Sequence, residues 1–401
     1  MATIPEQRFN VMVPMRDGAR LSSDLYLPEA GGPWPTIMTR GHYGKTTPLI
    51  PTLVKELNAK GYALVTQDVR GRGDSDGEFV PYDHEGRDGH DTIEWIAEQG
   101  WCDGNVALFG GSYGARSGWF TALEQPEHLV AMVILVSPSD PFVEFPTSDM
   151  TPMMVSWHRM TSGRVLQNTE GVEWMDVYEH LPLIELDERA GFVSETWKEA
   201  LAHTTLDEHH KKRRYQNRFD ELDIPVLHVS GWYDDEQIGT PLNYVGMSKN
   251  AKSEKTRKAQ RMVMGPWGHA VNTTRKLGEV DFGPHAIIDL WGYAAKWLDS
   301  VLGRSTESVP PVRIFVMGTN EWRDESEWPP ARAEFTDFFL HSGGSANSRF
   351  GDGTLSTKAP GNDEPGDAFT YDPARPVPFV TSPTSSQLGG PDDYSAIEQR
   401  G

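Results

Sequence analysis

The chain has 401 residues, 37% of them hydrophobic and 24% charged, and carries a net charge of -21. Its longest strongly apolar run, Leu129 to Val136, is far shorter than the ~20 residues that cross a bilayer, and so acidic a surface repels a phosphate backbone; these features exclude a membrane protein and a nucleic-acid partner. The single cysteine, Cys102, rules out an internal disulfide, and the polar opening from Met1 to Leu27 lacks the apolar segment of a secretory signal, so the expected location is the cytoplasm.

In chain order, Phe9 to Pro14 and Ala19 to Leu27 read as a hairpin across Met15-Arg-Asp-Gly18. Strands follow at Pro35 to Tyr43 and Ala63 to Val69, with a helix over Pro48 to Gly61 between them. Helical spacing over Asp88 to Gln99 precedes a short strand, Val106 to Gly110, then a helix, Tyr113 to Leu123, then a strand, Val130 to Val136. Alternating strands and helices predict a mostly parallel sheet covered on both faces. The rhythm breaks at Ser137 and returns at Ile224. Residues 141–220, with helical spacing at Val172 to His180 and Ser194 to His203 and no persuasive strand, read as a helical insertion. The basic run Lys211 to Arg214 reads as a solvated helix face. Strands Pro225 to Ser230 and Arg261 to Gly265, a helix near Thr240 to Asn250 and another over Ile287 to Leu302 complete the unit. Beyond Pro310-Pro311 the composition turns to short strands such as Val312 to Met317 and Thr336 to Leu340, which predicts a β-sandwich, and Gly351 to Gly401 reads as long surface loops. The expected division is therefore 1–140 with 221–305 as an α/β domain, 141–220 as a cap, and 306–401 as a partial sandwich.

Chemistry concentrates at strand ends. Gly110-Gly-Ser-Tyr-Gly114 matches the nucleophile elbow, in which a serine sits on a tight strand-to-helix turn. In a chain with 39 glycines the string alone is weak, but a strand precedes it and a helix follows. A serine hydroxyl needs a base, and the base needs a carboxylate. In the order Ser, acid, His, the next strand ends supply Gly231-Trp-Tyr-Asp-Asp235 and Gly265-Pro-Trp-Gly-His269. His269 is the base in this reading, His228 is a core residue inside a strand, and His203, His209 and His210 belong to the insertion. Asp234 and Asp235 compete as the acid; Asp234 is preferred because it directly ends the Gly-Trp-Tyr turn. The oxyanion needs two donors, the Tyr113 backbone N–H and one from the Arg40 to Lys45 loop, where the Tyr43 hydroxyl is a candidate and a packed aromatic is the alternative.

These motifs, with His42-Tyr-Gly-Lys45 and Asp68-Val-Arg-Gly-Arg-Gly-Asp-Ser-Asp-Gly77, resemble the cocaine esterase family of acyl hydrolases. That family also contains X-prolyl dipeptidyl peptidases and α-amino acid ester hydrolases. The resemblance implies an α/β-hydrolase fold with a helical cap insertion and a jelly-roll C-terminal domain. It implies Ser112, Asp234 and His269 as a triad, Tyr43 and Tyr113 in the oxyanion hole, and a serine hydrolase acting on esters and on some amides, with no metal or organic cofactor. In relatives selective for α-amino substrates, acids after the triad aspartate and one more distant acid bind the ammonium. Glu236 fits that pattern and Gln237 does not; Asp140, Glu144 and Asp149 are candidates for the distant acid. Met153, Met154, Trp157, Met160 and Trp174 are candidates for an apolar pocket wall. Arg70 or Asp74 is a candidate to brace the site. The C-terminal domain is shorter than the family's, so the expectation is a chain truncated at the C-terminus. A small-molecule ester or amide is the expected partner, with the oligomeric state open and a homodimer among the options. The alternatives are an X-prolyl dipeptidyl aminopeptidase or α-amino acid ester hydrolase and, outside enzymes, a β-sandwich binding protein with a vestigial triad.

Overall fold

The computed structural model describes residues 6–29, 31–144, 151–348, 350–376, 386 and 388. They form two compact units, Met1–Ser326 with Thr381–Gly401, and Glu327–Val380.

The first unit is built on a ten-stranded sheet. An opening hairpin, β1 (Gln7–Pro14) and β2 (Arg20–Tyr26), is followed by β3 (Trp34–Gly41), β4 (Ala63–Asp68), β5 (Cys102–Gly111), β6 (Leu129–Leu135), β7 (Val226–Gly231) and β8 (Arg261–Gly265). A short ribbon, β9 (Lys276–Leu277) with β10 (Val280–Asp281), stands apart, and β11 (Val312–Val316) and β12 (Glu321–Glu325) finish the large sheet. The spatial order is β1-β2-β4-β3-β5-β6-β7-β8-β11-β12. β3 to β8 and β11 run parallel, while the hairpin and β12 are antiparallel edges. The order reverses beside β3, with β4 on one side and β5 on the other, and such switch points open a crevice at the carboxyl ends of strands.

Alternation along the central strands sends side chains to two cores. Ala107 and Phe109 of β5 and Val133 and Leu135 of β6 pack under α1 (Ile50–Asn58) and α11 (Leu290–Val301). Val106, Leu108, Met132 and Ile134 face the opposite way, towards α2 (Glu85–Ala97), α3 (Tyr113–Leu123) and α9 (Gly239–Asn250), with Trp119 fully buried between them. A small helix, α10 (Glu254–Ala259), leads into β8. His228 is a buried core residue whose Nε2 meets Gln260 Oε1 at 3.1 Å.

Between β6 and β7 lie α4 (Pro152–Thr161), α5 (Trp174–Tyr178), α6 (Leu186–Arg189), α7 (Glu195–Ala202) and α8 (Glu208–Lys211). They share their own core of Val155, Trp174, Val177, Leu186 and Trp197. Ser194 caps α7 by accepting from the Trp197 N–H at 3.1 Å.

Val312 to Met317 is expected in the sandwich, yet Val312–Val316 pairs in parallel with β8 and buries Val312, Ile314 and Phe315, so this strand extends the large sheet and the first compact unit runs to Ser326. Pro311 accepts from the Met262 N–H at 2.9 Å, so the proline pair feeds a strand and is no linker. In the second unit β13 (Phe339–His341) pairs antiparallel with β14 (Thr354–Ser356). Gly351 to Gly401 is expected as loops, but Thr354–Ser356 is a strand because it pairs with β13; loops occupy most of residues 357–376, and 377–385, 387, 389–401 and Asp149 lie outside the described residues. Among the described residues no helix is long and apolar enough to cross a membrane.

Candidate active site

Ser112 stands between β5 and α3 with φ 54° and ψ -123°, a region that costs an ordinary residue ~1–3 kcal/mol. The turn is held by Ser112 N–H donating to Leu135 O at 3.0 Å and by Ser112 O accepting from Ala115 N–H at 2.9 Å. Of the neighbouring glycines, Gly110 is indispensable, because a Cβ there would lie 2.3 Å from Gly114 O. Gly114 is only tight, at 3.4 Å from Arg40 O, and Gly111 has ordinary room. As the first helical residue, Tyr113 has a backbone N–H with no intrahelical acceptor.

The ends of β7 and β8 are locked together. Trp232 N–H donates to Gly265 O at 2.9 Å and Tyr233 N–H to Trp267 O at 3.0 Å. A Cβ on Gly231 would sit 1.9 Å from Trp267 O, so the two loops approach this closely only with glycine there. The approach brings His269 Nδ1 to 2.8 Å from Asp234 Oδ1 and 3.3 Å from Asp235 Oδ1. Asp234 is the buried one of the two. Its other oxygen accepts from Ser230 Oγ at 2.6 Å, and Oδ1 also accepts from Glu236 N–H at 3.2 Å.

Burial opposes a charged His269, but the hydrogen bonds to Asp234 and Asp235 and the nearby Glu236 outweigh it and hold the imidazole well above its ordinary 6.5. Burial raises Glu236 well above the usual carboxylate range and Glu144 to about 8. Asp235 resists its own burial through the bond to His269 and is lowered.

Tyr43, on the loop after β3, is pushed up to about 12 by burial, so its hydroxyl stays protonated into alkaline solution. That hydroxyl accepts from Trp157 Nε1 at 3.4 Å, and Tyr43 lines the same cavity as Ser112. His42 packs against the Tyr43 ring at 3.7 Å and the Tyr113 ring at 4.2 Å. Fully buried Arg72 donates from Nε to His42 O at 3.0 Å and from Nη1 to Thr161 O at 2.7 Å, tying the Tyr43 loop to the cap. Under Tyr113, a buried Arg40–Glu85 ion pair at 2.6 Å receives the Tyr113 hydroxyl on Glu85 Oε1 at 2.8 Å.

A cavity of about 400 Å³ is walled by Ser112, Tyr43, Tyr113 and His269 on one side and by the cap on the other. Met153, Met154, Trp157 and Met160 line it; Trp174, also expected there, packs instead in the core of the cap. Glu236 and Asp235 line it, and of the candidate distant acids so do Glu144 and Asp140. Asp140 is occupied by Arg214 at 3.0 Å and by the Tyr215 N–H at 2.8 Å. Arg70 was a candidate brace, but it pairs with Asp88 and Asp17, each at 2.8 Å. The bracing arginines are Arg72, two residues on, and Arg40, and no local pattern in the sequence singles out either. Two groups of side chains among the described residues bring metal-ligating atoms within 4.8 Å of one another: Asp234, Asp235 and His269, and in the cap Glu199, His203 and His209. In the second group Asp207 holds His203 Nδ1 at 2.6 Å and Arg213 contacts His209 Nε2, so ring nitrogens there are already engaged.

Residues 17–271 match the sequence profile of the X-Pro dipeptidyl-peptidase (S15) family, and residues 305–395 match the C-terminal non-catalytic domain of X-Pro dipeptidyl-peptidases. The chain belongs to the S15 family. It is 33% identical to the cocaine esterase of Rhodococcus sp. (strain MB1 Bresler) over 98% of its own length and 72% of that protein's. Its fold matches an aminopeptidase from a marine sediment archaeon (Thaumarchaeota) with a TM-score of 0.77 at 23% identity, covering 96% of this chain and 68% of that one. An α-amino acid ester hydrolase matches equally, TM-score 0.77 at 22% identity over 97% and 69%. The S15 chain is thus an enzyme, a serine hydrolase of the esterase and peptidase kind, with an α/β-hydrolase fold and a non-catalytic C-terminal β domain.

Proposed function

We propose that the enzyme cleaves carboxylic esters of small molecules through an acyl-enzyme on Ser112. Ser112 Oγ attacks the ester carbonyl while His269 Nε2 takes its proton, Asp234 fixes the tautomer by accepting from Nδ1–H, and Tyr113 N–H and Tyr43 O–H receive the oxyanion. His269 then protonates the departing alkoxide, and a water activated by the same imidazole releases the acid. The observation that carries this reading is the 2.8 Å bond from His269 to buried Asp234, on the wall of the cavity that Ser112 also lines. Steady-state kinetics on simple esters test it. Ser112→Ala and His269→Ala should each remove at least about 10⁴ of kcat, and a variant that kept wild-type turnover would refute the assignment.

A second reading concerns the acyl side. Glu144 Oε1 and Glu236 Oε2 are buried without a hydrogen-bond partner among the described residues, and both side chains line the cavity beside Asp235. Such acids suit a substrate ammonium, as in an α-amino acid ester or the free N-terminus of a dipeptidyl substrate. A free α-amino ester should then outperform its N-acetyl form, and Glu236→Gln should erase about tenfold to a hundredfold of that preference.

A further inference from the structure

A second cavity, of about 320 Å³, lies against the rear of the elbow, and among the described residues no cap residue lines it. Its walls are Ile50 and Leu53 of α1, Phe109 and Leu135 at the ends of β5 and β6, Val271 after β8, and Trp291 of α11. It continues the core on the α1 and α11 face of the sheet, whereas the first cavity lies under the cap. The two share Tyr43 and His269, but Ser112 lines only the first.

This asymmetry separates the halves of an ester. In the acyl-enzyme the acyl group is bonded to Ser112 Oγ, so it must occupy the cavity that Ser112 lines. The alcohol half extends from the oxygen that His269 protonates, and the second cavity reaches His269. The geometry points to this second cavity as the binding site for the alcohol portion of the ester, with an uncharged, apolar alkyl or aryl group as its occupant. This rests on the ester-hydrolase reading above. In the acylation step the Ser112 Oγ–carbonyl carbon bond forms, the bond from carbonyl carbon to alkoxy oxygen breaks, and the proton on His269 Nε2 passes to that oxygen to give the free alcohol.

The wall chemistry sets the class of alcohol. Two cations border the cavity, Arg40 and Lys45, but each is consumed by a buried carboxylate, Arg40 by Glu85 at 2.6 Å and Lys45 by Asp24 at 2.8 Å. Neither charge is left to recognise an anion; the uncharged polar groups on the wall, Thr66 and Gln67 among them, are outnumbered by its apolar side chains. A volume of this size is at the lower end of the range for small-molecule sites. Exposed Leu49 and Thr273 stand at its rim, so the released alcohol has an exit that does not pass the cap.

The test measures kcat/KM for two homologous series: acetate esters of alcohols from methyl to hexyl and benzyl, and methyl esters of acids of increasing length. Val271→Trp fills the wall; Thr273→Trp, at an exposed position on the rim, serves where the first substitution disturbs folding. Each is expected to lower kcat/KM for hexyl and benzyl acetate at least tenfold relative to methyl acetate, while the profile of the acid series stays as in the wild type. An unmoved alcohol profile in Thr273→Trp and in folded Val271→Trp, or a contraction of the acid series instead, would overturn the assignment. Absence of hydrolysis of every ester by the wild-type protein would overturn the ester reading itself, whereas hydrolysis with an unmoved alcohol profile overturns only the assignment of this cavity.

Discussion

At Ser112 the chain accepts a strained backbone, φ 54°, in order to lift one hydroxyl into a cavity next to Tyr43. Burial raises the Tyr43 hydroxyl to about 12, so it stays a protonated donor into alkaline solution. Tyr43→Phe should therefore lower kcat on esters by about 10²–10³ with little change in KM, as expected for a group that acts on the oxyanion alone. His269 is held above its ordinary 6.5 by Asp234, Asp235 and Glu236 against its burial. In the proposed mechanism the neutral imidazole is the base, so kcat/KM should rise with pH on a limb lying above 6.5. Asp235→Asn removes one negative charge that favours the imidazolium and should move that limb to lower pH. A limb that stayed in place or moved upward in a pH–rate profile would show that Asp235 does not act on His269 through its charge.

Among the elements, the β7 and β8 ends carry the site. Gly231→Ala places a methyl group 1.9 Å from Trp267 O, which the two loops can relieve only by parting. The expected cost is about 1–3 kcal/mol in denaturant melts, accompanied by a fall in kcat because Asp234 and His269 separate with the loops. Trp232 Nε1 donates to Phe315 O at 2.8 Å, so β11 braces the same turn. Here the sequence was legible where periodicity and turn chemistry act locally: β8 and α3 have the expected bounds, and the elbow, Asp234 and His269 follow strand ends in the expected order. It was less legible where distant partners decide. Nothing near Val312 states that β8 offers it an open edge, so its pairing with the large sheet was not visible in the sequence. Helical spacing in the cap does not say which face is core, which is why Trp174 and Trp157 read alike although one is buried among cap residues and the other lines the cavity. Arg72 and Glu85 were invisible as site residues because their partners lie far along the chain, at Thr161 for one and at Arg40 and Tyr113 for the other.

Across the whole molecule, a chain of net charge -21 gathers Asp234, Asp235 and Glu236 around one histidine, with Glu144 lining the same cavity. His269, Glu144 and Glu236 all have raised values in the folded state, so the native protein holds protons that the unfolded chain has released. The stability they contribute is fully present below their unfolded values, near 4.5 for the glutamates and 6.5 for the histidine, and is lost as pH rises through the raised ones. Asp235 runs the other way; its lowered value contributes stability above its unfolded 3.8 that is lost on acidification. The melting temperature should therefore peak in mildly acidic solution and decline through pH 8. Glu144→Gln should flatten the decline between about 4.5 and 8; an equally steep decline in that variant would remove Glu144 from the account. The central claim is that Ser112 is the nucleophile of this fold, and the most direct measurement is labelling of the folded protein with a fluorophosphonate, followed by peptide mapping. The predicted result is a single adduct on Ser112 that is lost in His269→Ala; a folded protein that takes no label, or takes it at another residue, would contradict it.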